Sequence, residues 1–386
     1  MGKSLIAIDD ESAILDIILH VAGGLGFAAQ STTDPEEFKA MVRQDDPQLI
    51  LMDLNMPSCD GIELLRYLFE QQSSAQVMLI SGVDAKVLSV ATHVGVELGL
   101  KMGKPLQKPI RVQQLRDCLA PFIAGTQEIG AAALRQGLER GEIELFYQPM
   151  IDLKRTRLAG WEALARWRHP ELGVIAPDRF IPLAEAEGLM PSLTDRVMTL
   201  AMEEKAVWGC GGRLADGFIS LNLSALDLVD PQIPDRLERL CERHGVPPGQ
   251  VRLELTETVA MGESVRSVEV LTRLRVKGFR LAIDDFGTGY SSLVQLYRLP
   301  FSELKIDRTF VQNMTQSEEA AIIVKTILSL GHSLRLDLVA EGVENREIAE
   351  LLTEEGCEIA QGYYYSRPVP PSDIARWCEG NPRLVA

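Results

Sequence analysis

Short apolar runs alternate with amphipathic stretches along nearly the whole chain, a pattern that leaves few architectures open. In the first third, residues 5–8, 49–52 and 77–80 are apolar runs that predict buried strands. Apolar residues at helical spacing follow the first run, and residues 34–37 hold the capping acid and the proline that begin a helix. Strands that alternate with helices in this way predict a doubly wound α/β domain.

The rest of the chain continues the alternation but begins differently. Two strands, at 143–147 and 158–161, are predicted to be joined by a turn near 152–156. Further strands are predicted at 218–223, 251–255, 279–283, 304–306, 336–339 and 357–360, with helices such as 320–331 between most of them. About eight strands over about 245 residues fit a TIM-like β/α barrel. Because the opening hairpin prevents all strands from being parallel, we expect a modified barrel.

Length and charge set the domain organisation and exclude one class of partner. The 386 residues favour two unequal domains, which we place at 1–120 and 142–386, with a linker and lead-in helix over 121–141. Lys and Arg total 39 against 55 Asp and Glu, for a formal charge of -16. This balance argues against broad binding to duplex DNA, and no basic recognition helix follows the first domain.

The sequence also predicts a cytoplasmic protein. No stretch approaches the ~18 apolar residues of a membrane-spanning helix, and the first residues do not form a signal peptide. The six cysteines are scattered without a Cys-x-x-Cys pair, which indicates reduced thiols rather than a disulfide framework or a zinc site. We therefore expect neither nucleic acid nor membrane among the partners.

Polar side chains stand at or just beyond the ends of the predicted strands in the N-terminal domain. They are Asp9, Asp10, Asp53, Ser81 and Lys108. Ligands of open α/β sheets bind at the carboxyl ends of the strands. Three carboxylates crowded there repel one another unless a divalent cation lies among them, and oxygen ligands suit Mg²⁺. The sequence therefore predicts a Mg²⁺ site in this domain.

The order of these residues resembles that of a response-regulator receiver domain, which has a flavodoxin-like fold. The resemblance identifies Asp53, in the segment Met-Asp-Leu-Asn-Met-Pro at 52–57, as the residue that accepts a phosphoryl group. It implies that Asp9, Asp10 and the backbone carbonyl of Asn55 hold Mg²⁺. The implied phosphodonor is a sensor histidine kinase or a small phosphorylated molecule.

The same resemblance implies that Ser81 and Lys108 contact the phosphoryl group. Two Lys-Pro pairs, at 104–105 and 108–109, compete for the lysine position. We choose Lys108 because the last helical pattern begins at residue 110. The position three before it, often a rotating aromatic in this family, is Pro105, so the usual aromatic switch is not expected.

Polar residues also stand at the strand exits of the C-terminal domain, one from nearly every strand. They are Asn222, Glu254, Asp284, Asp285, Lys305, Glu341 and Gln361, and Glu162 lies on the second strand. In a β/α barrel these ends converge on one mouth, where active sites lie. Five carboxylates in one mouth would be strongly destabilised without cations. We therefore expect two divalent metals, with the pair at 284–285 suited to bridging them.

Two metals, Lys305 and a glycine-rich loop over 286–291 indicate a reaction class. The metals would stabilise the attacking and leaving oxygens of an in-line displacement at phosphorus. Beside two dications Lys305 would have a lowered pKa, and it could help to deprotonate or orient the attacking water. This reasoning predicts a metal-dependent phosphodiester or phosphate hydrolase. The alternative is an enolase-like site, in which a lysine base and Mg²⁺ stabilise an enediolate.

The C-terminal domain resembles the EAL domain, the family of cyclic di-GMP phosphodiesterases. The signature Glu-Ala-Leu stands at 162–164. The further motifs, in order, are Leu-Asn-Leu-Ser at 221–224, Glu-Leu-Thr-Glu at 254–257, Asp-Asp-Phe-Gly-Thr-Gly-Tyr-Ser-Ser at 284–292, Lys-Ile-Asp at 305–307, Glu-Gly-Val-Glu at 341–344 and Gln-Gly-Tyr at 361–363. No position of these motifs is degenerate, which favours an active enzyme.

The resemblance implies a role for each of these side chains. The first metal would be held by Glu162, Asn222, Glu254 and Asp284, and the second by Asp284 and Asp285 with Glu341 nearby. The implied catalytic residues are Lys305, which would activate water, Glu162 and Glu341. Glu257 would hold the loop over 285–292 in place. Arg166 and Gln361 match positions that contact the substrate.

Together, the two resemblances imply a regulator in which phosphorylation of Asp53 tunes the hydrolysis of cyclic di-GMP to linear 5′-pGpG. The implied cofactors are two Mg²⁺ or Mn²⁺ ions in the barrel and one Mg²⁺ in the receiver. Because members of both families often pair, we expect a homodimer or a higher homo-oligomer. Two other functions stay open: a catalytically silent cyclic di-GMP receptor, and a phospho-switched adaptor that uses the barrel as a dimerisation scaffold.

Overall fold

The computed structural model describes residues 4–57, 59–82, 85–103, 105–123, 129–210, 217–260, 265–288 and 293–384. The chain divides into two units, Met1–Glu128 and Ile129–Ala386. Within the predicted linker, residues 124–128 lie outside the described ranges. No helix of the described ranges combines the length and the hydropathy needed to cross a membrane.

The N-terminal unit alternates strands and helices. Its strands are β1 (Ser4–Ile8), β2 (Ala28–Thr32), β3 (Leu49–Asp53), β4 (Asn55–Met56), β5 (Cys59–Asp60), β6 (Gln76–Ser81), β7 (Lys101–Met102) and β8 (Leu106–Gln107). Its helices are α1 (Ser12–Gly24), α2 (Pro35–Asp45), α3 (Gly61–Glu70), α4 (Ala85–Glu97) and α5 (Val112–Ile123). The main sheet runs β2-β1-β3-β6-β7, with β8 also on β6, and all its pairings are parallel.

The central strand β3 shows why helices cover both faces of this sheet. All five of its residues are buried, and its apolar side chains alternate between two core clusters. Leu49 and Leu51 belong to one cluster, and Ile50 and Met52 belong to the other. The predicted start of α2 is confirmed, because Asp34 caps that helix by accepting two backbone N–H groups. The doubly wound fold predicted from the sequence is confirmed.

The C-terminal unit is built from longer runs of strand and helix. Its strands are β9 (Ile143–Asp152), β10 (Arg157–His169), β11 (Gly173–Ile175), β12 (Phe218–Asn222), β13 (Val251–Thr256), β14 (Arg280–Phe286), β15 (Glu303–Ile306), β16 (Asp337–Ala340) and β17 (Ile359–Gln361). Its helices are α6 (Ala131–Arg140), α7 (Pro177–Ala186), α8 (Met190–Cys210), α9 (Ile233–His244), α10 (Glu257–Ala260), α11 (Val265–Val276), α12 (Leu293–Arg298), α13 (Arg308–Asn313), α14 (Glu318–Leu334), α15 (Arg346–Glu354) and α16 (Pro371–Gly380).

Eight of these strands close into a barrel. The order from β10 through β12, β13, β14, β15, β16 and β17 is parallel, and β9 pairs antiparallel with both β17 and β10. The modified barrel predicted from the opening hairpin is therefore confirmed. The hairpin strands are longer than predicted because they continue through polar residues, such as Gln148 and Glu162, that are buried in the barrel interior. The short strand β11, antiparallel to β10, was not predicted.

The barrel interior is layered. At the amino-terminal ends of the parallel strands, Arg252 on β13 pairs with Glu303 on β15, and Arg280 on β14 pairs with Asp337 on β16. We call these four residues the base layer. An apolar cluster of Met150, Phe218, Val339 and Ile359 packs beside them, with the Arg252 guanidinium over the Phe218 ring. The mouth at the carboxyl ends of the strands is polar.

Candidate functional site

The barrel mouth brings together the eight polar side chains that the sequence predicts there. Seven of them stand at or near the carboxyl end of a strand, with the adjacent pair Asp284 and Asp285 both on β14, whereas Glu162 lies in the middle of β10. The eight are Glu162, Asn222, Glu254, Asp284, Asp285, Lys305, Glu341 and Gln361. Because successive side chains of a strand point to opposite faces, the residue that reaches the interior from each strand is fixed by its register in the barrel.

Lys305 lies at the centre of the mouth and has no exposed side-chain area. Its Nζ is 2.9 Å from Glu254 Oε2, 3.1 Å from Asp284 Oδ1 and 2.5 Å from Glu341 Oε1. Glu162 Oε1 is farther away, at 3.9 Å. One ammonium group therefore lies within ion-pair distance of carboxylates from four other strands or strand exits.

The mouth carries more negative charge than Lys305 can balance. Five carboxylates against one ammonium leave a formal charge of about −4 when all are ionised. Burial raises the pKa of Glu254 to about 8, although Lys305 opposes this effect. Burial and the charge of Asp284 raise the pKa of Asp285 to about 6. The pKa of Glu341 is raised well above its usual value by burial and by Asp284 and Glu162, with Lys305 again opposing.

Excess buried negative charge is the condition that favours divalent cations, and the donor set fits them. Asp284, Asp285 and Glu341 bring carboxylate oxygens within 4.8 Å of one another. Carboxylate oxygens are the ligands that Mg²⁺ and Mn²⁺ prefer. The residues at the mouth therefore fit hard divalent metals.

The pKa of Lys305 has the opposite direction from the one predicted beside two dications. Burial alone would lower the pKa of Lys305, but Asp284, Glu162, Glu254 and Glu341 together raise it well above its usual value. These carboxylates belong to the chain, whereas the predicted lowering depends on bound cations. The lowered pKa therefore stays a prediction for the metal-loaded protein.

Three residues without a predicted role support the mouth. Ser220 donates a hydrogen bond to Glu254, and Gln148 contacts Gln361. Asp307 raises the pKa of Asp285 through its charge and a shared hydrogen bond, after the larger effect of burial. Ser220 lies two residues before Asn222, and Asp307 lies two residues after Lys305. The period of two in a strand could have indicated Ser220, because it places this residue on the same face as Asn222, whereas Asp307 follows β15 and caps the next helix.

The segment after β14 begins with an unusual backbone conformation. Asp285 has a φ of 54°, in the left-handed region that non-glycine residues rarely adopt. Two residues later, the Gly287 N–H donates a hydrogen bond to Glu257 Oε2 at 2.9 Å, and Glu257 is buried. Residues 289–292 of the predicted glycine-rich loop lie outside the described ranges. The contact with Gly287 places Glu257 at the described start of that loop.

Arg166 is half-buried on β10, four residues after Glu162 and apart from the lysine-centred cluster. Its Nη1 donates to the Ala165 carbonyl at 2.8 Å, and its guanidinium lies 5.8 Å from the centre of the Phe146 ring. Burial lowers its pKa, and the charge of Glu162 opposes this effect. No hydrogen bond within the described residues joins its guanidinium to the mouth acids.

A second acidic pocket lies at the carboxyl ends of β1 and β3 in the N-terminal unit. Asp9, Asp10 and Asp53 bring carboxylate oxygens within 4.8 Å of one another. Lys108 Nζ lies 2.7 Å from Asp53 Oδ2 and 3.0 Å from Asp9 Oδ2. It also lies 3.0 Å from Glu11 Oε1, a contact that the sequence did not indicate.

The remaining residues predicted for this pocket are Ser81, on the strand that pairs with β3, and Asn55, two residues after Asp53. Ser81 is buried at the end of β6, next to β3. The backbone N–H of Asn55 donates to Asp53 Oδ1 at 3.0 Å, which fixes the turn after the strand. The competing Lys104 lies outside the described residues. The pKa of Lys108 is raised because hydrogen bonds to Asp53, Glu11 and Asp9 outweigh the effect of burial.

Comparison with known proteins covers both units. Residues 131–368 match the EAL domain, and residues 5–120 match the response regulator receiver domain. The cyclic di-GMP phosphodiesterase RocR of Pseudomonas aeruginosa is 34% identical over 344 residues, which cover 86% of this chain and 87% of RocR.

Another relative shares only the second unit. The bifunctional diguanylate cyclase/cyclic di-GMP phosphodiesterase MucR of Pseudomonas aeruginosa is 42% identical over 62% of this chain, which corresponds to 35% of MucR. Among solved structures, the c-di-GMP complex of the PaMucR phosphodiesterase matches 63% of this chain and 98% of its own, with a TM-score of 0.60 and 42% identity.

Proposed function

The chain belongs to the EAL domain family and carries a response regulator receiver domain, and from this premise we propose that it is a phosphorylation-regulated cyclic di-GMP phosphodiesterase. Its reaction would open the cyclic dinucleotide to linear 5′-pGpG by attack of water on one phosphodiester. RocR, which aligns with this chain across both units, is named a cyclic di-GMP phosphodiesterase. This name supports the proposed substrate and the proposed reaction class.

The single observation that carries the proposal is the mouth itself, where four carboxylates lie around a fully buried lysine and a fifth, Asp285, adjoins them. Glu162, Asn222, Glu254 and Asp284 would hold one Mg²⁺ or Mn²⁺ ion. Asp284 and Asp285, with Glu341, would hold a second. Two such cations supply stabilisation of the attacking and leaving oxygens in an in-line displacement at phosphorus.

The other side chains of the mouth bind and orient. Lys305 Nζ lies within hydrogen-bond distance of three of the proposed ligands, so it is placed to orient the attacking water and to move its proton. Arg166, at the rim of the mouth, suits a phosphate oxygen of the dinucleotide. Glu257 would hold the start of the loop at Gly287, and its loss would disturb the loop rather than remove a ligand.

The proposal is tested by incubating the purified protein with cyclic di-GMP and Mg²⁺ and separating the products by chromatography. We expect 5′-pGpG to appear, and we expect its formation to be lost in Glu162→Ala and after addition of a chelator. Bound but intact nucleotide, also with Mn²⁺ and with phosphorylated protein, would indicate a receptor. No binding would leave the adaptor function.

In the N-terminal unit, we propose that Asp53 accepts the phosphoryl group from a sensor histidine kinase or a small phosphodonor. Asp9, Asp10 and the Asn55 carbonyl would hold a Mg²⁺ ion, and Ser81 and Lys108 would contact the phosphoryl group. Support comes from the three acids within 4.8 Å of one another and from the 2.7 Å contact between Lys108 and Asp53.

We further propose a homodimer or a higher homo-oligomer, on the resemblance to both families alone. Sedimentation of the phosphorylated and unphosphorylated protein tests this assembly. A monomer in both states would contradict it.

A further inference from the structure

Two buried glutamines lie side by side in the barrel mouth, although only one of them belongs to the motifs found in the sequence. Gln148 on β9 is 7% exposed, and Gln361 at the end of β17 is 4% exposed. Gln148 is also the direct cross-strand partner of Glu162 on β10. The first, second and last strands of the barrel therefore meet at these three side chains.

The three side chains form a chain of hydrogen bonds. Gln148 Nε2 donates to the backbone carbonyl of Ser366 at 3.0 Å. Gln148 Oε1 accepts from Gln361 Nε2 at 2.8 Å. Gln361 Nε2 also donates to Glu162 Oε2, so both N–H groups of this amide point towards the protein.

Both ends of this chain can only accept hydrogen bonds. The Ser366 carbonyl is an acceptor, and so is the ionised carboxylate of Glu162. Gln148 must therefore turn its NH₂ group to Ser366 and its oxygen to Gln361. Gln361 must in turn present its NH₂ group to Gln148 and Glu162. The orientation of both amides therefore follows from the chemistry of their partners.

One polar atom of the two amides has no hydrogen-bond partner in this arrangement. Gln361 Oε1 is buried and has no hydrogen-bond partner among the described residues. A buried acceptor without a partner costs about 1–3 kcal/mol, so this oxygen is available to a donor that a bound ligand supplies.

We propose that Gln148 is a positioning residue that forces Gln361 to present its oxygen, and not its NH₂ group, to the bound dinucleotide. The inference deepens the proposed function and rests on it. The partner of Gln361 Oε1 is an N–H or O–H donor of the nucleotide. Gln148 acts through Gln361, which touches the substrate, and it also fixes the N–H that Gln361 donates to Glu162.

A double-mutant cycle on kcat and KM for cyclic di-GMP tests this role. Gln148→Met removes both hydrogen bonds of the first amide at similar volume, and Gln361→Met removes the second amide. We expect each single variant to lose about 10- to 100-fold in kcat/KM, as for other residues that orient a ligand-binding side chain, with the Gln148→Met loss mainly in KM. Because Gln148 acts through Gln361, the double variant should be within about twofold of Gln361→Met alone.

The matched control is Gln250→Met, which precedes β13 at the opposite end of the barrel and should keep the parent kcat and KM. Thermal melting of each variant verifies folding. If Gln148→Met does not melt cooperatively, Gln148→Asn replaces it in the cycle, because its shorter amide cannot span both partners. If the losses in kcat/KM multiply in the double variant, or if the Gln148 variant keeps the kcat and KM of the parent, this inference is wrong but the proposed function is unaffected. A parent protein that neither binds nor hydrolyses cyclic di-GMP would overturn the proposed function and this inference with it.

Discussion

The acidic pocket of the N-terminal unit and the mouth of the barrel each surround one lysine with carboxylates, but the two lysines differ in their exposure to solvent. Lys108 keeps 14% of its side chain exposed, and the nearby Asp10 and Glu11 are exposed. Lys305 has no exposed side-chain area. The charge of the lysine is therefore partly screened by solvent in one unit and desolvated in the other.

This difference in burial changes what the charges do. Charges near water interact weakly because solvent and salt screen them, whereas buried charges interact strongly. In the N-terminal pocket, the exposed Asp10 and Glu11 share their charge with solvent, whereas Asp53 is buried against Lys108. In the barrel mouth, five acids share one lysine that has no exposed side-chain area. We therefore expect the mouth to depend steeply on its lysine and its metals, and the N-terminal pocket to act as a modifier.

The largest expected effect is at Lys305. Lys305→Met removes the buried cation, and we expect turnover of cyclic di-GMP to fall about 1,000-fold, within the range for a residue that orients water and moves a proton. Product chromatography at saturating substrate measures the loss. Lys325→Met, which removes an exposed lysine paired with Glu355 on the barrel surface, is the control and should keep parent turnover. A Lys305→Met protein with full turnover would contradict the assigned role.

The second prediction concerns the N-terminal pocket. Asp53→Asn should abolish phosphate uptake from a small phosphodonor, measured as a mass increase of the intact protein. The change in turnover that phosphorylation causes in the parent, about 5- to 150-fold for ordinary allosteric coupling, should disappear with it. Continued phosphorylation of Asp53→Asn would show that another residue accepts the group.

A smaller effect is expected at Glu257. Glu257→Leu leaves the Gly287 N–H without its carboxylate acceptor, so the loop that follows Asp285 should lose its anchor and turnover should fall about tenfold. Glu257→Gln keeps an acceptor oxygen at nearly the same volume and should stay within about threefold of the parent. Equal losses in the two variants would show that the charge of Glu257, and not its hydrogen bond, matters.

The smallest effect is a pH-dependent stabilisation by metal. Folding raises the pKa of Asp285 to about 6 and that of Glu254 to about 8. Between the unfolded and folded pKa values, the folded chain without metal holds more protons, so its stability falls as pH rises. Divalent cations neutralise the ionised acids, so Mg²⁺ should raise the melting temperature more at about pH 8 than at about pH 5. Scanning calorimetry with Mg²⁺ or a chelator measures this difference, and an equal rise at both pH values would contradict it.

The sequence was informative wherever a functional residue follows an apolar run. The acids at the exits of β13 and β14, and Lys305 on β15, could be placed in one mouth because parallel strands end on the same side. The fold class followed from the same alternation of strands and helices. The hairpin lengths were underestimated because β9 and β10 continue through buried polar residues that interrupt the apolar pattern.

Gln148 shows what could not be predicted. Its partner Gln361 is 213 residues away in the chain, and the contact exists only because the last strand closes against the first. A polar residue in a strand is usually read as facing solvent, and nothing local to Gln148 indicates otherwise. The contact of Glu11 with Lys108 is similar, since it depends on how a helix start in one loop meets a lysine 97 residues later.

The base layer of the barrel has a consequence for how the strands are aligned. Each of its pairs skips one strand, because Arg252–Glu303 joins β13 to β15 and Arg280–Asp337 joins β14 to β16. A slip of any of these strands by one residue would turn its charged side chain to the opposite face and break a pair. Glu254 and Lys305 lie two residues beyond Arg252 and Glu303 on the same faces, about 7 Å along the strands. The charge pairs at the amino-terminal ends of the strands thus fix the register of the strands, and this register places Glu254 and Lys305 beside each other at the mouth.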